Sequence, residues 1–281
     1  MTKANKIAFI GAGSMAEALI SGMTKTLYNS EQIIVTNRSN LDRLNYLHKA
    51  YGVHVEHDKQ KAVKEADIIV LAMKPKDVIE GINNIAEAVS DHQLIISVLA
   101  GVSTDSITSL LGKNIAVVRA MPNTSATIGK SATALSVGRY ANESHLAIAK
   151  ALFETVGVVT IVAENDLHAV TGLSGSGPAY IYYFVEAMEK AANEVGLNRT
   201  VAKDLIIQTL IGAAEMLKCS TKHPSILRKE VTSPGGTTEA GIRVLETYHY
   251  QEAIVACIKQ ATKRSAELGE ALTEMLSMQK S

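Results

Sequence analysis

Short runs of β-branched and other apolar residues alternate with amphipathic segments through roughly the first 160 residues. This alternation is typical of a parallel sheet covered by helices. The runs are apolar without interruption, as expected for parallel strands that are buried on both faces. The predicted strands are Lys6 to Ile10, Ile33 to Asn37, Asp67 to Met73, Leu94 to Leu99, Ile115 to Ala120, Ala132 to Ser136 and Val158 to Val162. Residues 1–163 are therefore predicted to form a Rossmann-like, doubly wound α/β domain with a parallel sheet.

After residue 163 the pattern becomes helical, which predicts an all-α domain over residues 164–281. Long helices are predicted from Pro178 to Val195, from Val201 to Leu217 and from about Tyr250 to Met278. Their apolar faces exceed what a small bundle can hide within itself. We therefore expect this domain to pack against another copy of the chain.

Composition limits the classes of function. The chain has 281 residues, 47% of them apolar, so it can bury a core without disulfides or metals. Lys plus Arg equals Asp plus Glu at 28 each, which makes nucleic acid and anionic membranes poor partners. No apolar run reaches the ~18 residues of a membrane helix. The first five residues lead straight into a strand, so we expect no signal peptide and a cytoplasmic location.

Neither cysteine nor histidine spacing indicates a metal site. Cys219 and Cys257 are far apart and are expected to be buried, reduced thiols. The eight histidines are scattered, and the close pair His54 and His57 has no further ligands beside it. His168 and the tyrosines at 180, 182 and 183 are expected to be packing residues.

The first predicted strand runs into Gly11-Ala12-Gly13-Ser14-Met15-Ala16, and a helical pattern follows. The first glycine permits a tight turn, the second removes a side chain that would block a pyrophosphate, and the alanine lets helix and strand pack closely. Amides at the start of the helix then face the phosphates. A turn without a ligand is the alternative, but the strand–turn–helix context favours a dinucleotide. The predicted ligands here are Gly11, Gly13, Ser14, Met15 and Ala16.

The end of the second predicted strand discriminates between NAD and NADP. An acidic residue there would hold the ribose hydroxyls of NAD and repel a 2′-phosphate. The chain instead reads Thr36-Asn37-Arg38-Ser39, which places a guanidinium where the phosphate would sit. We predict Asn37 and Arg38 as ligands and NADP(H) as the preferred cofactor, with NAD(H) also usable. An ordinary solvated charge is the alternative for Arg38.

Further loops follow predicted strands at the edge where doubly wound sheets bind ligands. We expect these loops to frame the nicotinamide half of the cofactor. The candidates are Ala72, Met73, Lys74, Pro75, Ala100 and Asn123. Each loop has an alternative as an ordinary turn, and Lys74 has one as a solvated or structural lysine.

Two glycine-rich segments interrupt the helical half, GLSGSGPA at residues 172–179 and VTSPGGTTEAG at residues 231–241. Each places unpaired amides and the positive end of a helix at one point, where a small carboxylate could sit. The candidates for holding it are Ser233, Gly235, Gly236 and Thr237. Glu239 lies next to this pocket, and we expect its side chain to face outward.

The motifs GLSGSGPAY and VTSPGGTT, with GAGSMA, MKP, AGV and MPNT, resemble the pyrroline-5-carboxylate reductases in the same order over essentially the whole chain. SPGGTT is the most specific of them. The resemblance implies reduction of the imine of 1-pyrroline-5-carboxylate to L-proline by NAD(P)H, the last step of proline biosynthesis. It also implies an intertwined homodimer, often assembled into decamers, and Thr238 as substrate ligand and catalytic hydrogen-bond partner of the ring nitrogen. Ser125 and Glu239 depart from the family pattern.

Other functions stay open at this point. The chain could act on another small imine, or on a 2-hydroxy acid. The β-hydroxyacid dehydrogenases share the domain order, but they need a catalytic lysine, for which Lys190 is the one poorly matching candidate. A catalytically silent, NADP-binding regulatory relative is the alternative from another class.

Overall fold

The structure, a computed structural model, describes residues 6–278, and for residues 75 and 276–278 it describes the backbone alone. Eight strands form one sheet in the order β3-β2-β1-β4-β5-β6-β7-β8. They are β1 (Ile7–Ile10), β2 (Ile33–Thr36), β3 (His54–Val55), β4 (Ile68–Leu71), β5 (Leu94–Ser97), β6 (Ala116–Met121), β7 (Ser131–Val137) and β8 (Gly157–Ile161). All seven predicted strands are confirmed, and the short β3 extends the sheet beside β2.

One pair of strands departs from the predicted parallel pattern. β6 and β7 pair antiparallel, with Val118 opposite Val137, whereas the other neighbouring pairs are parallel. A parallel crossover needs a dozen or more residues. Residues 122–130 alone connect these two strands, so the connection is too short to bring β7 back in the same direction.

Helices connect the strands of the sheet. They are α1 (Ser14–Thr26), α2 (Leu41–Tyr51), α3 (Lys59–Lys64), α4 (Val78–Asn83), α5 (Thr104–Leu111), α6 (Glu143–Glu154) and α7 (Leu167–Val170). Short 3₁₀ turns cover Ser30–Gln32, Pro75–Asp77, Thr124–Ile128 and Glu164–Asp166, and a π-helical turn covers Thr171–Gly175. Side chains of Asn40, Asp58, Ser103 and Asn142 cap the starts of α2, α3, α5 and α6. α1 begins after Gly13 without a side-chain cap.

The sheet is buried on both faces because its strands are apolar at successive positions. Ile7 and Phe9 of β1 join a cluster that includes residues of α1, α2 and α6. Ile10 joins a second cluster with residues of α4 and α5. Burial of each such large side chain contributes about 1.5–3 kcal/mol. The two layers fix the carboxyl ends of the strands, where the loops of the candidate site begin.

Contacts divide the chain into two compact units. One comprises the chain up to Ser176 together with the chain from Lys259 on, and the other comprises Gly177–Ile258. The last part of the chain belongs with the sheet because Leu272 is buried in its second cluster. A Cβ on Gly269 would also lie 2.6 Å from the carbonyl oxygen of Gly101, which shows how closely the two backbones approach. The sequence-based boundary after residue 163 remains a prediction.

The second unit is helical. Its helices are α8 (Gly177–Glu194), α9 (Arg199–Cys219), α10 (Pro224–Glu230), α11 (Thr237–Thr247) and the start of α12 (Tyr250–Met278). The three long helices predicted from the sequence are confirmed as α8, α9 and α12. Apolar side chains on α8 and α9 are exposed in the single chain, among them Tyr182, Tyr183, Leu205 and Ile211. The single chain leaves these two tyrosines exposed, so their predicted packing role stays a prediction.

Across residues 6–278, no helix combines the length and the apolar character needed to cross a membrane.

Candidate functional site

The loop after β1 has the backbone that the glycine motif predicts. Gly11 has φ +118°, and a Cβ there would lie 2.5 Å from the carbonyl oxygen of Ala72. Both the positive φ and the close approach exclude other residues at Gly11. A Cβ on Gly13 would meet no atom within 4 Å. A ligand can therefore approach the backbone closely at Gly13.

Amides at the start of α1 are available to such a ligand. In the part of the chain that the structure describes, the amides of Ser14, Met15 and Ala16 have no acceptor. Unpaired amides and the positive end of the helix dipole together form a site for an anion. The first turn of α1 therefore fits a pyrophosphate.

A cavity of about 460 Å³ opens beside this loop. Its walls come from the loop after β1, the chain from the end of β2 into α2, the start of α3, the loop after β4 and the first turns of α4. It lies at the carboxyl ends of β1, β2 and β4, where doubly wound sheets bind dinucleotides. Volume, glycine backbone and free amides fit a nicotinamide dinucleotide.

Cations line this cavity from several segments. They are Arg38, Arg43, Lys59 and Lys76, and β2 ends without an acidic residue. The Nη1 atom of Arg38 lies 3.5 Å from Asp77 and 3.4 Å from Glu80. The Arg38 side chain is nevertheless 65% exposed, so its remaining donors can reach a ligand.

The cavity contains part of the predicted cofactor set. Predicted residues that line it are Gly11, Gly13, Asn37, Arg38, Ala72, Met73 and Lys74. Ser14, Met15, Ala16, Ala100 and Asn123 do not line it. The Pro75 side chain lies outside the described residues. Three further cations line the cavity and were not predicted from the sequence, namely Arg43, Lys59 and Lys76.

Asn123 has a structural role that the sequence did not predict. Its side chain accepts a hydrogen bond from the Ser125 amide at 3.1 Å and donates one to the Ser174 carbonyl oxygen at 3.1 Å. A Cβ on Gly175 would lie 2.7 Å from the Met121 methyl group. The loop after β6 therefore packs against the π-helical turn of the GLSGSG segment. Such turns occur often at functional sites.

The second glycine-rich segment begins α11 in the helical unit. Gly235 has φ +73°, and the Gly236 amide donates to the Ser233 carbonyl oxygen at 3.0 Å. The amides of Thr237 and Thr238 have no acceptor among residues 6–278. This turn therefore offers free amides at a helix start, as the sequence predicts for a small carboxylate.

The expectation that Glu239 faces outward is wrong. Its Oε2 atom accepts a hydrogen bond from the Gly235 amide at 2.8 Å, and its Oε1 atom lies 3.3 Å from Arg243. The carboxylate turns back on the loop because α11 has no other side-chain cap at its start. The Gly235 amide, which was predicted to bind the substrate carboxylate, therefore already donates to the carboxylate of Glu239.

A second polar cavity, of about 410 Å³, lies in the sheet unit between the loop after β5, α7 and α12. Arg119 lines it while almost fully buried, and its Nη1 atom lies 3.3 Å from Glu164. Glu164 also accepts hydrogen bonds from the amide and hydroxyl of Thr104. His168 lies 3.0 Å from the Ser265 hydroxyl. The predicted packing role of His168 agrees with this contact.

Replacement of His168 by Gln is expected to reduce the loss of stability in mild acid. Burial lowers the pKa of His168, and Arg119 lowers it further, against the opposing effect of Glu164 and Glu270. The unfolded chain therefore takes up this proton first as the pH falls below about 6.5. The free energy of unfolding then falls between that pH and the lowered pKa. Urea unfolding at pH 7.5 and 5.5 measures the effect, and equal losses in both proteins would contradict it.

The remaining candidates have no catalytic environment. Lys190 is exposed and lies 4.0 Å from Glu194. Among residues 6–278, no three His, Cys, Asp or Glu residues gather closely enough to bind a metal ion.

Cys219 is exposed and Cys257 is half-buried. The expectation that both thiols are buried is therefore wrong, because these helices keep one face uncovered.

Comparisons with known proteins agree with the motifs. Residues 164–268 match the family model described as pyrroline-5-carboxylate reductase dimerisation. Residues 6–101 match the model described as NADP oxidoreductase, coenzyme F420-dependent. The chain is 52% identical over 266 residues to pyrroline-5-carboxylate reductase 2 of Bacillus subtilis, a match that covers 94% of this chain and 95% of that one.

Solved structures give the same result. A pyrroline-5-carboxylate reductase from Coxiella burnetii is similar with a TM-score of 0.86 and 37% identity, covering 95% of this chain and 99% of the other. The Plasmodium falciparum pyrroline carboxylate reductase with NADP bound is similar with a TM-score of 0.87 and 27% identity, covering 94% and 98%.

Proposed function

Because this chain belongs to the pyrroline-5-carboxylate reductase family, we propose that it transfers hydride from NAD(P)H to the carbon–nitrogen double bond of 1-pyrroline-5-carboxylate and forms L-proline. The observation that carries the proposal is the match along 94% of the chain to a relative named for this enzyme. The free amides at the starts of α1 and α11 support the proposal. The reaction needs one anion site for the cofactor and another for the substrate carboxylate.

The proposed cofactor site uses the cavity beside α1. The residues proposed to hold the cofactor are Gly11, Gly13, Ser14, Met15, Ala16, Asn37, Arg38, Ala72, Met73, Lys74, Pro75, Ala100 and Asn123. We add Lys59, which is half-buried and lines the cavity with Arg38. The bound nicotinamide supplies the hydride. The chain itself supplies amides for the pyrophosphate and cations for a 2′-phosphate, and for this reason we propose NADP(H) as the preferred form.

Replacement of Arg38 by Ala tests that preference. A charge-assisted hydrogen bond to a phosphate contributes about 1.5–3 kcal/mol, so we expect KM for NADPH to rise roughly ten- to a hundredfold. KM for NADH should change less than about twofold, because NADH has no 2′-phosphate for Arg38 to bind. Initial rates with each cofactor measure both constants, and an unchanged NADPH constant would remove Arg38 from the site.

The proposed substrate site is the turn before α11. The loop of Ser233, Gly235, Gly236 and Thr237 holds the substrate carboxylate. Among residues 6–278 the Thr237 amide is free for it, whereas the Gly235 amide becomes a donor only when the Glu239 carboxylate releases it. Thr238 binds the ring nitrogen. Hydride adds to the imine carbon, and the nitrogen accepts a proton, for which the Thr238 hydroxyl serves as orienter or relay. Neither a nucleophile nor a metal is required. Alignment of the reacting atoms contributes on the order of 7–11 kcal/mol.

An assay with purified protein tests the reaction. NADPH oxidation with 1-pyrroline-5-carboxylate is followed in one direction, and NADP reduction with proline at high pH in the other. We expect turnover in both. Cofactor binding with turnover equal to background would favour a catalytically silent relative. Turnover only with a different cyclic imine would contradict the proposed substrate but support the proposed reaction, which is reduction of an imine.

We further propose a homodimer assembled into decamers, in the cytoplasm. The exposed apolar side chains of α8 and α9 support association, because a single chain rarely leaves such a surface uncovered. Light scattering at micromolar concentration gives the mass, and a monomer would contradict the proposal.

A further inference from the structure

Arg43, in the first turn of α2, holds the carbonyl side of the glycine loop. Its Nε atom donates to the Ala12 carbonyl oxygen at 2.7 Å, and its Nη2 atom lies 3.4 Å from the Gly13 carbonyl oxygen. Arg43 also lines the 460 Å³ cavity. A loop that binds an anion through its amides must keep its carbonyl oxygens away from that anion. One guanidinium bonds to two of those oxygens here.

Glu17 holds this guanidinium in place from the first turn of α1. Its carboxylate accepts hydrogen bonds from Arg43, from the Tyr46 hydroxyl at 3.0 Å and from the Tyr51 hydroxyl at 3.0 Å. Burial alone would raise the pKa of Glu17, but these hydrogen bonds outweigh it and lower the pKa. Glu17 is therefore ionised at neutral pH and pairs with Arg43.

The ion pair is partly sheltered from water. The side chains of Arg43 and Glu17 are 25% and 22% exposed, and the guanidinium lies 5.2 Å from the centre of the Tyr46 ring. A sheltered, multiply hydrogen-bonded pair holds its geometry better than a surface pair does. Asn40 fixes the backbone beneath it by accepting from the Arg43 amide at 2.9 Å.

We propose that Arg43 is a positioning residue of the cofactor site, and that Glu17, Tyr46 and Tyr51 hold it there. It fixes the carbonyl groups of Ala12 and Gly13, so that the amides at the start of α1 face the pyrophosphate. This inference rests on the proposed dinucleotide site. The pyrophosphate is common to NADPH and NADH, so Arg43 affects both cofactors alike, whereas Arg38 affects NADPH alone.

The test compares Arg43→Met, Arg43→Lys and Glu17→Gln by measuring dissociation constants for both cofactors and kcat at saturation. Arg43→Met should raise both constants about tenfold, by the same factor, with kcat changed less than twofold. Arg43→Lys should show most of that loss, because lysine keeps the charge and lacks the planar fork that bonds to several oxygens. Glu17→Gln should raise both constants about threefold. Glu17→Gln also tests the hydrogen bonds that hold Arg43 if the Arg43 variants themselves fold poorly.

Arg139→Met is the matched control. Arg139 also lies over a tyrosine ring, 5.8 Å from the centre of Tyr140, but it does not line the cavity. We expect the dissociation constants of Arg139→Met for NADPH and NADH to equal those of the unaltered protein.

Two results would overturn the role of Arg43. One is an NADPH constant within twofold of the unaltered protein, and the other is an effect on NADPH alone, which would make Arg43 a phosphate ligand. Unaltered protein that binds neither cofactor would overturn both this inference and the proposed function. Binding of both cofactors without turnover would overturn the reaction alone, and the comparison of Arg43 variants would still decide its role.

Discussion

Gly13→Val is expected to raise the dissociation constant for NADPH by roughly a hundredfold or more while the chain folds as before. Valine fills the open space beside Gly13 and separates the pyrophosphate from the amides of α1. Loss of two charge-assisted hydrogen bonds at about 1.5–3 kcal/mol each accounts for a rise of at least about a hundredfold in the dissociation constant. The backbone at Gly13 is extended, with φ −75° and ψ −176°, so a β-branched residue fits it without strain.

Two measurements separate binding from folding in this variant. Titration calorimetry gives the NADPH constant, and the thermal midpoint without cofactor should stay within about 2 °C of the unaltered protein. The NADPH dissociation constant of Gly13→Ala should lie between those of the unaltered protein and Gly13→Val, because the effect grows with the side-chain volume placed in the cavity. Normal NADPH binding by the valine variant would show that the pyrophosphate does not lie against this loop.

Thr238→Ala is expected to lower kcat with 1-pyrroline-5-carboxylate about a hundredfold, within the usual range for a group that assists proton transfer. Thr238 is exposed in the first turn of α11, next to free amides, so removal of its hydroxyl should leave the fold intact. The dissociation constant for NADPH should also stay unchanged. Steady-state rates at saturating cofactor give the effect.

Two companion variants make this result specific. Thr238→Ser keeps a hydroxyl and should recover most of the rate. Thr247→Ala makes the same change at the other end of α11, where the hydroxyl bonds to the Arg243 carbonyl oxygen, and should leave kcat within twofold. Full activity in Thr238→Ala would remove this residue from the mechanism.

Sequence alone predicted those parts of the molecule that depend on local patterns. Seven strands and three long helices follow from runs of apolar residues with the correct period. Gly11 and Gly13 follow from the motif, because a turn between strand and helix needs little backbone outside itself. The direction of β7 also had a local signal, since its connection to β6 is too short for a crossover.

Other parts of the site depend on contacts between distant segments. Arg43 reaches Ala12 across 31 positions of the chain, and residues at such a distance share no pattern that indicates contact. Lys59 reaches the cavity because β3 joins the sheet beside β2, which requires the strand order. The orientation of Glu239 depends on one rotamer choice at a helix start. None of these three could be read from residue type and spacing.

The pairing of Arg38 with Asp77 and Glu80 has a consequence for cofactor choice in this chain. Two negative charges already compete for the group proposed to recognise the 2′-phosphate. Substitutions at either acidic position can therefore shift the balance between the phosphorylated and unphosphorylated cofactor while the arginine itself is retained. The identity of residue 38 alone therefore does not determine which of the two cofactors this chain prefers.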